Sequence, residues 1–477
     1  MTLMVDVSTP TRRSGGTRTR TWAVVLAACT GQFLVVLDVS VVNVALPSMR
    51  TDLGLSAAGL QWVLNAYSIA FAGFMLLGGR AADLYGRKRM FLVGLGLFTA
   101  ASLAGGLAQE GWQLLGARAA QGLGAAVLAP ATLTLLTAAV PEGPARTRAI
   151  GTWMAVGAGG GAAGGLIGGV LTDALSWRWV LLINVPVGVL VLVGAALWLA
   201  EGRAGERSGR IDLPGALLVT AGLAAVAYGI VQTEESGWTA AATLVPLLAG
   251  LALLALFVLV EARTAKPLMP LRVLAARAVA SANVAMFVIG SATFSMWYFM
   301  TVYAQNVLGY SALEAGLALM PTSVAIVAGS KCAPRLMART GAKNLALIGT
   351  AMAAAGFGWQ STMTADGSYL TAVCLPGILM MAGTGLAATP LATLAISGAA
   401  SGEAGLVSGL VNTSRTMGGA LGLAVLSTVA AARTAGSPDA VDLTAGYALA
   451  FRTAGGVLLG GLLLMVLWLP RHGSAKR

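Results

Sequence analysis

The chain of 477 residues has little charge, one histidine and three cysteines. Charged residues make up 10% and hydrophobic residues 57% of it, whereas an ordinary soluble domain is roughly 25% charged. His472 stands in the polar C-terminal tail, which excludes a histidine zinc site and Ser-His-Asp catalysis. Because Cys29, Cys332 and Cys374 lie in apolar stretches, no disulfide framework or metal site is expected, and we expect no cofactor.

Glycine, by contrast, is abundant, with 63 residues, many of them inside apolar runs. Small residues allow membrane helices to approach closely, so this composition predicts an integral membrane protein held in a lipid bilayer. The net charge of +12 lies in short loops between apolar segments, which favours a membrane protein over a nucleic-acid partner.

Fourteen apolar stretches are long enough to cross a bilayer, for which about 20 residues are needed. They predict an all-α polytopic fold. The approximate spans are 22–46, 59–79, 90–109, 112–139, 148–172, 179–200, 212–232, 241–262, 278–305, 314–333, 343–363, 369–396, 404–432 and 446–469.

Lysine and arginine are distributed unevenly between alternate loops. If the N-terminus is inside, 24 of them lie on the cytoplasmic side and three, namely Arg50, Arg178 and Arg433, lie outside. Positive residues collect in cytoplasmic loops, so both termini are predicted to be cytoplasmic in a multi-pass protein of the cell membrane. The polar start of the chain is interpreted as a cytoplasmic tail and not as a cleaved signal peptide.

Three arginines, Arg118, Arg415 and Arg452, fall within the apolar segments. Placing such a charge in a bilayer costs at least about 2.5 kcal/mol on insertion scales, so each must face protein or water. Arg452 is close enough to a helix end to extend to the interface. Arg118 and Arg415 are therefore the first functional candidates.

Two loops repeat the same pattern of arginine, glycine and lysine: Arg80, Gly86 and Lys88 in one, and Arg335, Gly341 and Lys343 in the other. Eight helices separate the copies, as expected for two six-helix halves with an inserted pair. The predicted domains are a tail over 1–21, an N-terminal bundle over 22–200, a linker with two inserted helices over 201–277, a C-terminal bundle over 278–469 and a tail over 470–477.

Four motifs carry a family resemblance: Leu37-Asp38-x-x-Val41-Val42-Asn43-Val44-Ala45-Leu46-Pro47, Gly79-x-x-x-Asp83-x-x-Gly86-Arg87-Lys88, Arg118-x-x-Gln121-Gly122-x-Gly124-Ala125, and the glycine run from Gly157 to Gly169. A fifth segment, Trp177-Arg178-Trp179 followed by Asn184-Val185-Pro186-x-Gly188, supports them. Together they resemble the fourteen-helix drug:proton antiporters of the major facilitator superfamily. The resemblance implies two six-helix bundles plus two inserted helices, and transport by alternating access.

Asp38 and Arg118 lie at similar predicted depths, roughly 12 and 9 Å below the outer surface at about 1.5 Å per residue. The resemblance implies that their helices line the central cavity. We therefore interpret them as a proton-coupling pair, in which Asp38 binds and releases a proton as its surroundings change. The alternative is a static ion pair that fixes helix packing.

Two further groups of residues follow from the resemblance. A conformational lock, in which charges and helix dipoles hold adjacent helices in one state, is predicted for Gly79, Asp83, Gly86, Arg87, Lys88 and Arg89. The antiporter motif of the fifth helix, expected to approach the other half closely, is predicted for Gly157, Gly160, Gly161, Gly164, Gly165, Gly168 and Gly169. Gly161 stands where the family usually has proline, so this helix keeps one more N–H donor.

A broad substrate cavity is the third predicted site. Aromatic walls suit flat amphipathic molecules, although packing is an equally good explanation for most of these residues. Arg415 is the exception, because its charge needs a partner or water. Glu314 is considered as a second proton site or a solvated residue. The predicted cavity residues are Gln61, Trp62, Asn65, Tyr67, Gln121, Trp297, Tyr298, Tyr303, Gln305, Asn412 and Arg415.

The sequence therefore predicts a monomeric, proton-coupled exporter of small amphipathic drugs or antibiotics, and not an enzyme. No nucleotide-binding loop of the Gly-x-x-x-x-Gly-Lys-Ser/Thr type is present, so transport should be driven by a gradient. One alternative is a dedicated exporter or facilitator of one metabolite, such as a self-made antibiotic. The other is a polytopic membrane enzyme, for which the sequence offers no clustered intramembrane carboxylates or histidine pair.

Overall fold

The computed structural model describes residues 21–141, 144–199, 212–264, 267, 271–399, 404–434, 437 and 439–470. In these ranges the regular structure is helical and no strand is assigned. Most of the two predicted tails lies outside the described residues. The helices are α1 (Thr21–Leu53), α2 (Ala57–Tyr85), α3 (Arg87–Gly106), α4 (Gly111–Ala139), α5 (Pro144–Ala174), α6 (Trp179–Leu182), α7 (Asn184–Trp198), α8 (Leu213–Ser236), α9 (Ala241–Arg263), α10 (Leu271–Ala275), α11 (Arg277–Asn306), α12 (Ala312–Ala318), α13 (Met320–Thr340), α14 (Ala342–Gln360), α15 (Leu375–Ser397), α16 (Ala404–Thr434) and α17 (Ala440–Trp468).

Thirteen helical segments within the described ranges are long and apolar enough to cross a membrane. Three of them combine a short helix with a long one: α6 with α7, α12 with α13, and the π-helix Leu370–Cys374 with α15. The remaining long helix, α14, packs against α15 and α17, and it is less apolar because Lys343 and Asn344 stand in its first turn. The predicted all-α polytopic membrane fold is confirmed, with thirteen such spans in the described ranges and α14 at the position of the remaining predicted one.

Side-chain caps define where several helices begin. Ser56 accepts a hydrogen bond from the Gly59 N–H at 3.1 Å at the start of α2. Ser311 and Glu314 form a reciprocal capping box at the start of α12. Such caps satisfy backbone N–H groups that have no partner within the helix, so these residues fix the turns between successive membrane crossings.

The helices pack in two bundles with an inserted pair between them. In the first bundle α4 packs against α2 and α3, and α1 packs against α5. In the second, α15 packs against α13 and α14, and α11 packs against α16. The inserted pair, α8 and α9, contacts both bundles, because Leu223 and Ala227 of α8 pack with Ile69 of α2 and Ala420 of α16. The exact domain boundaries remain predictions.

In each half, glycine brings the equivalent pair of neighbouring helices into backbone contact. A Cβ built on Gly94 of α3 would lie 2.7 Å from the Leu128 nitrogen of α4. A Cβ built on Gly349 of α14 would lie 2.7 Å from the Ala387 nitrogen of α15. Neither position has space for a side chain, so the abundance of glycine in the apolar runs reflects helix packing.

The repeated loops have the same geometry. Gly86, between α2 and α3, has a φ of 100°, and Gly341, between α13 and α14, has a φ of 80°. Both are in a region that other residues rarely adopt, so glycine is required at each turn. The lysine two residues later caps the last helix of its half in both cases. Lys88 donates to the carbonyls of Ala196 (3.0 Å) and Leu199 (2.5 Å), and Lys343 donates to those of Val466 (2.8 Å) and Leu469 (2.7 Å).

Replacing Lys343 by methionine should destabilise the C-terminal half. Val466 lacks the usual backbone donor four residues later, because that position is Pro470. A hydrogen bond from a charged donor contributes roughly 1.5–3 kcal/mol, so we expect the free energy of unfolding to fall by about 2 kcal/mol. Thermal unfolding of the purified variants in detergent measures this change. Lys331→Met, at an exposed position of α13, is the control, and an equal fall in both variants would contradict the assignment.

Candidate functional site

Asp38 and Arg118 form a buried ion pair between α1 and α4. The Arg118 Nη1 lies 2.6 Å from the Asp38 Oδ2, and the side chains are 1% and 0% exposed, respectively. An unpaired charge at this depth would be strongly unfavourable, so each residue depends on the other. The structure thus brings together the two residues that the sequence predicts as a coupling pair; their role in coupling stays a prediction.

The second carboxylate oxygen of Asp38 is also fully engaged. It accepts hydrogen bonds from the Gln121 Nε2 at 2.6 Å and from the Asn184 Nδ2 at 3.0 Å. Both amides also donate to the Ser102 hydroxyl, at 2.7 and 3.2 Å. Asp38 therefore joins four helices, because α3 supplies Ser102, α4 supplies Arg118 and Gln121, and α7 begins at Asn184.

Backbone and aromatic contacts position the Arg118 guanidinium. Its Nε donates to the Val63 carbonyl at 3.1 Å, and its Nη1 also donates to the Gln121 Oε1 at 2.6 Å. The Tyr67 ring stacks on it, with 4.5 Å between the guanidinium carbon and the ring centroid. This arrangement adds α2 to the group of helices that depend on the charged pair.

Three predicted cavity residues on α2 leave buried polar atoms without a hydrogen-bond partner in the described part of the chain. These atoms are the Gln61 Oε1, both polar atoms of the Asn65 amide and the Tyr67 hydroxyl. Buried polar groups are normally paired, so such orphans mark places where a polar ligand or water would bind.

Other predicted cavity residues lie elsewhere. Trp62 packs on Tyr228 of α8, with ring centroids 6.3 Å apart, and Trp297 packs against the main hydrophobic core. Tyr298 packs edge-on to Phe299 at 5.2 Å. Two more hydrogen-bond to backbone carbonyls: Tyr303 to that of Thr364 at 2.7 Å, and Gln305 to that of Val44 at 2.8 Å. Asn412 and Arg415 lie on α16.

The predicted lock residues are spread around one loop. Lys88 caps α7 as described, whereas Arg87 and Arg89 are exposed. The Asp83 side chain lies outside the described residues, so its predicted contacts are not part of this structure. Gly79 lies beside α4, where an added Cβ would be 3.7 Å from the Pro130 Cβ. Glu314 is exposed and caps α12, accepting from the Ser311 N–H at 2.8 Å.

The glycines of α5 form two surfaces. One surface packs on α1 of the same half, with Gly157 beside Gln32, Gly160 beside Phe33, Gly161 beside Val36, Gly164 beside Ser40 and Gly168 beside Val41. The other surface, Gly165 and Gly169, meets Gly316 and Leu313 of α12. Close approach to the other half is therefore a property of two of the seven glycines, and the rest seat α5 on the helix that carries Asp38.

Gly161, where the family usually has proline, takes part in the contact between α5 and α1. The Gly161 carbonyl accepts a hydrogen bond from the Ser40 hydroxyl at 2.8 Å. A Cβ at this position would lie 3.5 Å from Val36, which is an ordinary van der Waals contact. The glycine thus keeps α5 bound to α1 two residues beyond Asp38.

Besides the packing of α2 against α16, the two halves meet at the end of the bundle opposite the start of α1, which we call the far end. There the Asp173 Oδ2 accepts from the Leu313 N–H at 2.9 Å, which joins α5 to α12. The hydrogen bond from Gln305 to Val44 joins α11 to α1 at the same end. With the Gly165 and Gly169 contacts, these interactions hold the halves together on that side.

The sequence profile of the Major Facilitator Superfamily matches residues 28–423. The chain belongs to this superfamily. The family resemblance of its motifs is thereby confirmed, and the protein is a multi-pass membrane transporter. Transporters of the superfamily act on small molecules, which agrees with a site enclosed by several helices.

Two curated superfamily relatives are similar along most of their length. The cephamycin export protein CmcT of Amycolatopsis lactamdurans is 50% identical over 444 residues, covering 92% of this chain and 91% of the relative. The puromycin resistance protein pur8 of Streptomyces alboniger is 40% identical over 452 residues, covering 92% and 90%. Among solved structures, the inward-open xylose transporter XylE of E. coli matches with a TM-score of 0.65 and 14% identity, covering 96% of this chain and 98% of that one, which shows the fold alone.

Two site residues were not predicted from the sequence. Asn184 stands in a segment that resembles the superfamily relatives, yet nothing there connects it with Asp38, 146 positions earlier. Ser102 is a lone serine in an apolar helix and carries no pattern at all. A buried polar residue within a membrane helix is the one signal that would have identified both.

The far-end contact predicts a conformational effect of Gly169→Ala. The new methyl group would lie 2.5 Å from the Leu313 Cα, so α5 and α12 must move apart. Such overpacking destabilises by about 1–3 kcal/mol, which corresponds to roughly a tenfold rise in opening at this end. The labelling rate of Ala312→Cys, a buried position at the far end, by a membrane-impermeant thiol reagent, with the native cysteines replaced, measures the opening.

Gly159→Ala is the matched control, because nothing lies within 4 Å of a Cβ at Gly159 on the same helix. Its labelling rate should equal that of the wild type. Equal rates for the Gly169 and Gly159 variants would show that the far-end contact does not hold the halves together.

Proposed function

We propose that this transporter exports small amphipathic drugs or antibiotics in exchange for protons, by alternating access. The buried Asp38–Arg118 pair carries the proposal, because an ionisable carboxylate inside the membrane is suited to bind and release a proton during a transport cycle. The names of the relatives, a cephamycin export protein and a puromycin resistance protein, support export of antibiotics.

Protonation of Asp38 would change the preferred arrangement of its neighbours. The ionised carboxylate accepts from Arg118, Gln121 and Asn184 at once. A protonated carboxyl loses its charge and must donate one hydrogen bond, so Arg118 would remain buried without compensation. The helices that meet at Asp38 would then favour a different packing, which couples protonation to movement.

The proposed orientation puts both termini in the cytoplasm, on the basis of the lysine and arginine distribution. The far end then faces outward, and the contacts of α5 with α12 and of α11 with α1 close the outer side of the substrate pathway. Separation of these contacts would open the site outward. We propose, as the sequence predicts, that the monomer is the functional unit.

The loop from Gly79 to Arg89 is proposed to lock one of these states. Lys88 ties α3 to the C-terminal end of α7, whose first residue, Asn184, binds Asp38. A shift of α7 would therefore change the contacts of both the loop and the charged pair. We likewise propose that the α5 glycines act as the antiporter motif and that the α2 residues line the substrate cavity.

The coupling proposal predicts that Asp38→Asn abolishes transport driven by a pH gradient. Asparagine has a similar shape but cannot release a proton. Uptake of a cephamycin or puromycin into inside-out membrane vesicles with an acidic interior should therefore fall at least about tenfold, which corresponds to a free-energy loss of about 1.4 kcal/mol or more. Gradient-driven uptake equal to that of the wild type would contradict the proposal and favour a facilitator.

Asp52→Asn is the matched control for this experiment. Asp52 is on the same helix, is 45% exposed and pairs with Arg178 at the far end. Its replacement should leave gradient-driven uptake within about twofold, because surface ion pairs contribute little. Equal amounts of the two variants in the membrane fraction, and equal elution profiles in detergent, separate loss of coupling from loss of folding.

A second candidate function is dedicated export of one antibiotic. The identity of 50% with a cephamycin export protein favours it over a broad specificity. Resistance of a sensitive host that expresses the protein, measured against a cephamycin, puromycin and lincomycin, distinguishes the two. A dedicated exporter protects against one compound, whereas a multidrug exporter protects against several.

A further inference from the structure

Arg415 is a charged residue in the middle of a membrane helix. It lies within the span Leu406–Thr434, roughly 16 Å from the start of α16 at about 1.5 Å per residue. Its side chain is partly exposed. Unlike Arg118, it is not part of the Asp38 network.

No carboxylate of the described residues lies within 4.0 Å of the Arg415 guanidinium. Its one hydrogen bond to this part of the chain goes from Nη2 to the Asn412 Oδ1, at 3.2 Å. A neutral amide does not balance a full positive charge, and arginine remains protonated inside proteins. Within the described part of the chain, this cation at mid-membrane depth therefore has no counter-ion.

The side of α16 that carries Arg415 is accessible. Ser408, Asn412 and Arg415 follow one another at helical spacing, and all three are exposed or partly exposed. The neighbouring Val411 and Thr416 are buried. A continuous accessible strip of polar residues thus runs from near the start of α16 to its middle.

This strip points into the molecule. Met417, Ala420 and Leu421, which pack with α8, lie on the opposite side of α16 at 100° per residue. Two contacts place α2 and α11 on either side of the strip. The Asn412 Nδ2 lies 3.3 Å from the Met75 Sδ of α2, and Ser414 donates to the Asn283 Oδ1 of α11 at 2.8 Å. Arg415 therefore lies on the side of α16 that faces α2 of one half and α11 of the other.

An aromatic surface lies one helical turn from Arg415. Gly419 packs against the ring of Phe294, and a Cβ at Gly419 would lie 2.5 Å from a ring carbon. The Phe294 side chain is itself partly exposed. A cation beside a partly exposed ring is suited to a molecule that has both an acidic group and an apolar body.

We propose that Arg415 binds the acidic group of the substrate, so that the compounds carried are amphipathic anions, with a carboxylate as the simplest case. The inference rests on the proposed export function, because it concerns the substrate of that same site. In this arrangement Asp38–Arg118 is neutral as a pair and binds protons, whereas Arg415 takes its counter-ion from the substrate. Arg118 and Arg415 thus have separate roles.

Equilibrium binding to purified protein in nanodiscs tests this assignment. The probes are two pairs of compounds, each a carboxylic acid and its methyl ester: a cephamycin and 2-naphthoic acid. We expect the wild type to bind at least one acid tenfold or more tightly than its ester. Arg415→Gln should weaken acid binding roughly 10- to 100-fold, because a charge-assisted contact is lost, and leave ester binding within about twofold. Arg415→Lys should restore most of the preference for the acid.

A second variant tests the same charge without removing Arg415. Met75→Glu would place a carboxylate beside Asn412, close enough to supply Arg415 with an internal counter-ion. It should abolish the preference for the acid, and Met75→Gln, of the same size without the charge, should retain it. Because Arg415 is unchanged in both Met75 variants, their comparison does not depend on whether the Arg415 variants fold correctly.

Three results would overturn the proposal: no acid preference in the wild type, absence of binding by either acid, or equal loss of acid and ester binding in Arg415→Gln. The experiment has no proton gradient, so it is independent of coupling. A preserved acid preference with failed gradient-driven uptake would refute the proposed antiport alone. Gradient-driven uptake without an acid preference would refute the role of Arg415 alone.

Discussion

The ion pair between Asp38 and Arg118 is the interaction on which the rest of the N-terminal half depends. Two buried charges inside a membrane are stable only together and only with their remaining hydrogen-bonding capacity filled. Gln121, Asn184 and the Val63 carbonyl bind the two charges, and Ser102 accepts hydrogen bonds from both amides. Together they fix α1, α2, α3, α4 and α7 around one point. Any change in the charge of Asp38 must therefore alter the packing of several helices at once. This is the property that a proton-driven transporter requires.

Glycine packing explains how such a change can reach the opposite half. The α5 helix lies against α1 through one set of glycines and against α12 through Gly165 and Gly169. A movement of α1 is thus transmitted to the far end, where Asp173 and Gln305 provide the hydrogen bonds between the halves. Close backbone contacts have few intermediate positions, so helices packed in this way switch between arrangements instead of deforming gradually. The equivalent lysine caps at Lys88 and Lys343 tie the last helix of each half to its own bundle.

Much of the fold could be predicted from the sequence, because membrane helices are defined by the length of their apolar runs and by loop charge. The fourteen helices and the repeated turn at Gly86 and Gly341 follow from such local patterns. The Asp38–Arg118 contact was predictable because charges are rare within the membrane and must find partners. Asn184 and Ser102 were not, since neither carries a charge and long-range hydrogen bonds leave no periodic signal. Trp62 illustrates the same limit: its aromatic ring fits a cavity wall or a helix interface equally well, and the structure places it against Tyr228 of the inserted helix α8. The lock role of Asp83 remains a prediction, because its side chain lies outside the described residues.

Proton release on substrate binding is the most direct measurement of the central claim. Purified wild-type protein in weakly buffered detergent, with a pH-sensitive dye, reports protons that leave Asp38 when a substrate such as a cephamycin is added. We predict release from the wild type and none from Asp38→Asn, with substrate still bound by both. Equal release from the two proteins, or substrate binding by the wild type without any release, would contradict a coupling role for Asp38.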